Sequence, residues 1–230
     1  MKLAAKSADP FTPPTLEVVD ALLTTIVESE PKARVMSEAE PTAQAALAQL
    51  AEMTDGLDTD GAVESALWEW IVLGARSEAG EPLVDRVVER FPRSLTADEL
   101  QALEALHRSH YRLMRIEQFV DDDKVRVTDL LGEDSFEVGA PGLKDRFETG
   151  RSVGCFVTPT DTGLTVMMGA WGLPEGKDDV VLERLRELRD ESPLKDAPLP
   201  DFVTRVSVVV PLLIYEQLAG EVSPEDAPPP

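Results

Sequence analysis

Residues 103–171 read LEALHRSHYRLMRIEQFVDDDKVRVTDLLGEDSFEVGAPGLKDRFETGRSVGCFVTPTDTGLTVMMGAW, and the rhythm of their apolar positions changes near Tyr111. Before it, Leu103 and Leu106 keep helical spacing; after it, apolar and polar residues alternate, as on a strand with one buried face. Met114 and Ile116 alternate with Arg115 and Glu117, and Val125 and Val127 alternate with Lys124, Arg126 and Thr128 across an Asp121-Asp122-Asp123 turn. Phe136 with Val138, Val153 with Cys155 and Val157, and Leu164 with Val166 and Met168 continue the pattern, with Thr160-Asp161-Thr162-Gly163 as a further turn. Five short antiparallel strands in so few residues bury one face only by curling, so the expectation is a small barrel-like unit over residues 111–175.

Upstream, the period is helical. Residues 1–14, with Pro10, Pro13 and Pro14, form an expected flexible arm. Thr15 caps a first helix with Leu16, Val19, Leu22, Leu23, Ile26 and Val27 at helical spacing, and Thr42 opens a second with Leu47, Leu50 and Met53. Asp60 caps a third, whose face is Val63, Leu67, Trp70, Ile71 and Gly74; Pro82 starts a fourth, and Thr96 with Glu99 has capping-box spacing before a fifth. The reading is a helical domain over 15–110. Downstream, Val181, Leu182, Leu185 and Leu188 form one helical stripe, and a Pro-rich joint leads to residues 202–218, read as one kinked, buried helix. C-terminal helices over 176–220 and a disordered tail over 221–230 complete an α+β chain.

The 230 residues carry 44 acidic and 22 basic side chains, a net charge of −22. That surplus repels phosphate backbones and suits a basic partner. With one cysteine, Cys155, no internal disulfide exists, which fits a reducing compartment. MKLAAKSADPFTPP lacks the apolar stretch of a secretory signal and no run approaches a membrane span, so a soluble, cytoplasmic protein is expected.

His107 and His110 could share a metal, but no HExxH pattern, cysteine pair or third histidine completes a site. Gly56 to Gly61 echoes a calcium loop with the wrong residues at its first and last ligand positions. Cys155 sits in phase with Val153 and Val157 and reads as a buried small hydrophobe, and Gly150, Gly154 and Gly163 read as bulges or tight turns. No nucleophile elbow, phosphate loop or dinucleotide fingerprint is present, so neither catalytic residue, metal nor cofactor is assigned. Trp68 points away from the face that holds Trp70, and with Phe136 and Trp171 it forms the candidate partner-binding set.

WEWIVLG (Trp68–Gly74), EPLVDRVVERF (Glu81–Phe91), LTADELQALEALHRSHYRLMRI (Leu95–Ile116) and VRVTDLLGEDSFEV (Val125–Val138) together resemble a group of poorly characterised bacterial proteins. These join a helical region to a small β-domain and often carry a SEC-C zinc motif. That motif requires a cysteine cluster with a histidine, and this chain has neither residue after Cys155, so the resemblance implies no zinc and no activity. The functional expectation is a non-catalytic, acidic protein-interaction or adaptor module. Its rivals are a nucleic-acid-mimicking inhibitor and a hydrolase whose site the sequence conceals.

Overall fold

The computed structural model describes residues 11–29, 34, 37–38, 62–77, 80–132, 134–167, 169–211 and 213–214. The second predicted helix, the Gly56–Gly61 turn with Asp60, Met168 and the C-terminal tail lie outside them. Before the sheet come α1 (Leu16–Ser29), α2 (Ala62–Leu73), α3 (Leu83–Val88) and α4 (Ala97–His107). The strands are β1 (His110–Phe119), β2 (Lys124–Asp129), β3 (Ser135–Gly139), β4 (Ser152–Thr160), β5 (Gly163–Val166) and β6 (Trp171–Gly172), followed by α5 (Asp178–Asp190) and α6 (Leu199–Arg205).

Local chemistry places several of these ends. The Thr96 hydroxyl accepts from the Glu99 N–H at 3.3 Å while the Glu99 carboxylate accepts from the Thr96 N–H at 2.8 Å, completing the capping box that starts α4. Pro82 immediately precedes α3, and α6 has a proline in its first turn. After α6 the chain turns over Val206–Val208 and helical geometry resumes at 209–211. Of the expected arm, Phe11 lies under the Arg108 guanidinium, 4.1 Å from the ring centroid, and the Thr12 N–H donates to Gln101 Oε1.

The strand order is β1-β2-β3-β5-β4, and β1 also pairs with β4, so the five strands close into a barrel. A ring with an odd number of strands cannot alternate direction throughout, so at least one neighbouring pair must be parallel. Here it is β3 with β5, joined at Gly139 and Thr165. This corrects the expectation of a wholly antiparallel unit. The connectivity is that of a five-stranded Greek-key barrel, the architecture to which OB-folds belong.

A sixth strand also departs from expectation. Thr160 pairs with Gly163 across a two-residue turn, where Gly163 has φ 114°, and β5 runs back along β4 to Val166 opposite Val157. The chain leaves the ladder after Met167 and rejoins β4 as β6, with Trp171 opposite Gly154. Thus β5 and β6 both pair with β4, at separate points along it.

Two cores result. Met114, Ile116, Val125, Val127, Val138, Val153, Cys155 and Val157 fill the barrel. The other face of β1 and β4, bearing Tyr111, Leu113 and Phe156, packs against α1, α2, α3, α4, α5 and α6. N-terminal and C-terminal helices therefore share one core with the outside of the barrel. The Tyr111 and Phe156 rings meet edge to face, with centroids 5.1 Å apart. Gly154 makes this possible: a Cβ there would lie 2.5 Å from the Tyr111 hydroxyl. Its role is close approach, not the bulge or turn expected.

Candidate functional site

α1 presents two surfaces. Val19, Leu22 and Ile26 are buried in the helical core, and Glu17, Ala21, Thr24 and Glu28 run along the outside at helical spacing, flanked by exposed Val27. The helix contains no lysine or arginine, and neither Glu17 nor Glu28 forms an ion pair with a described residue.

Asp20 turns from that stripe into a cleft of about 350 Å³ between α1, the β3–β4 connection and the chain between β5 and β6. Leu16, Leu143, Val166, Met167 and Ala170 give it apolar walls, and Asp20 and Arg146 are its two charged lining residues. No ion pair joins the two charges. Partial burial holds the Asp20 carboxyl above its usual range. The Arg146 guanidinium is fixed by donating to the Ala170 carbonyl at 2.9 Å and by lying 5.2 Å from the Phe147 ring centroid.

The candidate aromatics do not form one patch. Trp68 on α2 and Trp171 on β6 are each half-buried against the helical core, whereas Phe136 on β3 packs onto the barrel core. The histidines do not converge either. His107 Nε2 lies 2.7 Å from Asp85 Oδ1, while His110 is exposed at the start of β1. Partial burial and the Arg112 charge hold His110 below its usual pKa. Among the described residues no group of three potential ligands could hold a metal ion. Cys155 is wholly buried and burial pushes its thiol far above the usual range, the reverse of what a nucleophile needs.

The outer face of β2 and β3 carries Lys124, Arg126 and Thr128 beside Ser135 and Glu137, with Arg126 and Glu137 paired. The adjoining β1–β2 turn holds Asp121, Asp122 and Asp123, of which Asp122 is paired with Lys144. OB-type barrels bind oligonucleotides on that face, using aromatic platforms and a positive groove. Here that face offers Lys124, the Arg126–Glu137 pair, hydroxyls and an adjoining acidic turn.

Sequence reasoning missed three features. The Asp20–Arg146 pair comes from positions far apart in the chain and has no local signature. Arg112 bonds the buried Asp129 carboxylate at the end of the barrel, and Asp129 also accepts from the Leu131 N–H at 2.9 Å. Glu69 has a buried carboxylate oxygen with no hydrogen-bond partner, and burial holds its pKa well above the usual range. For Glu69 a signal existed: it sits between two tryptophans inside an apolar run.

Compared with protein-family models, curated proteins and solved structures, the chain matches none. Among the described residues no helix is long and apolar enough to cross a membrane.

Proposed function

We propose that this chain is a non-catalytic protein-interaction module that holds a basic partner segment along the outer face of α1. One observation carries the reading: the exposed Glu17–Ala21–Thr24–Glu28 stripe, which has acids at both ends, small residues between them and no cation in the helix. A partner helix or strand with small apolar side chains could lie close along its middle, with lysines or arginines reaching each end. The surplus of 44 acids over 22 bases adds a long-range field that speeds encounter with such a partner. Trp68, half-exposed on α2, is the aromatic we assign to the same interaction.

The test uses the full chain and its Glu17→Lys/Glu28→Lys variant as baits in host lysate at about 0.15 M salt, where the Debye length is about 8 Å. The expected result is a defined protein retained by the native bait, eluted by salt, and lost from the variant. Equal retention by both baits would remove α1 from the interface. Trp68→Ala should weaken capture more than it lowers the melting temperature, and the reverse outcome assigns Trp68 to the core.

A further inference from the structure

The cleft beneath α1 has its own chemistry, set apart from the helix's outer stripe. Its two charged side chains have opposite sign, come from different elements, α1 and the β3–β4 connection, and are not ion-paired with each other or with another described acid or base. An anion alone would meet Asp20, and a cation alone would meet Arg146, so either would bind against a like charge. A ligand carrying both charges meets neither conflict. Apolar walls come from Leu16, Leu143, Val166 and Met167, and a volume of about 350 Å³ suits a small molecule. Arg146 is held in place by the Ala170 carbonyl and the Phe147 ring and keeps further N–H donors for a carboxylate. The cleft lies where the chain between β5 and β6 and the β3–β4 connection meet α1.

We propose that this cleft binds a small aliphatic zwitterion, a free amino acid with an apolar side chain, with its ammonium on Asp20, its carboxylate on Arg146 and its side chain against Leu16, Leu143 and Val166. Binding would restore a counter-ion to a carboxyl that partial burial now disfavours in its charged form.

The experiment is an amide-resolved NMR titration of the full, isotope-labelled chain with L-leucine, N-acetyl-L-leucine, L-leucinamide and glycine. L-Leucine is expected to give saturable shifts at Asp20, Gly142, Leu143, Gly169 and Ala170. Blocking either end, or removing the side chain as in glycine, should weaken binding by about tenfold or more, as should Asp20→Asn or Arg146→Gln. Both substitutions are at exposed side chains, and unchanged shifts elsewhere in the spectrum verify the fold. If a variant does not fold, the blocked ligands decide alone. Absence of saturable shifts with L-leucine, shifts confined to other residues, or equal binding of the blocked forms would overturn the assignment. Because Glu17 and Glu28 are outside the cleft, these outcomes are independent of partner capture along α1.

Discussion

At the scale of single residues, two buried polar groups without partners set the clearest expectations. Glu69 has a raised pKa in the folded chain, so folding takes up a proton between the ordinary carboxylate pKa and the raised one. Its contribution is favourable in acid and is lost as pH rises through that window. Glu69→Gln should therefore melt near the native chain at pH 4 and above it at pH 8, as scanning calorimetry would read. Glu99 has the opposite sign: the Arg93 side chain and the Thr96 cap hold it down to about 2. The stability it supplies is present above the usual carboxylate range and is lost as pH falls towards 2, so Glu99→Gln should flatten the acid limb of the same curve. Gly154→Ala should cost about 1–3 kcal/mol by overpacking, because its new methyl meets the Tyr111 hydroxyl. That hydroxyl is buried and unpartnered, so Tyr111→Phe should be neutral or stabilising, and the double variant should recover part of the Gly154→Ala loss in chemical denaturation.

At the scale of elements, the sequence is most legible where one residue's chemistry acts on its near neighbours. The Thr96–Glu99 capping box needs only three residues of separation, and it forms as the spacing predicts. Thr96→Ala should cost about 1 kcal/mol, read by urea unfolding. Alternation along β2 and β3 likewise gives the correct inner face, since Val125 and Val127 oppose Val138 and Phe136 in the barrel. β4 defeats the same reasoning. It is buried on nearly every residue because both its faces are covered, and Gly154 and Phe156 do not signal that a helical layer lies outside. Removing Asp129, which is 1% exposed and paired with Arg112, should cost about 3–5 kcal/mol by leaving a cation without its partner at the barrel end.

At the scale of the whole molecule, the shared core means that the barrel and the helices should not unfold separately. Phe202, on α6, is buried in the same cluster as Val19 of α1 and Phe156 of β4. Phe202→Ala should therefore cost about 3–5 kcal/mol, with secondary-structure and tryptophan signals lost in one transition. Two transitions would show the barrel standing alone. The sequence by itself determined the helical class of the described segments on either side of the barrel, the inner faces of β2 and β3 and the large acidic surplus, because each follows from periodicity or composition read locally. Only the tertiary structure decided the parallel β3–β5 closure, the doubly covered β4, the buried Glu69 carboxylate and the meeting of Asp20 and Arg146 in one cleft. These depend on which distant segments meet, and a one-dimensional pattern records the side a residue shows but not what stands opposite it.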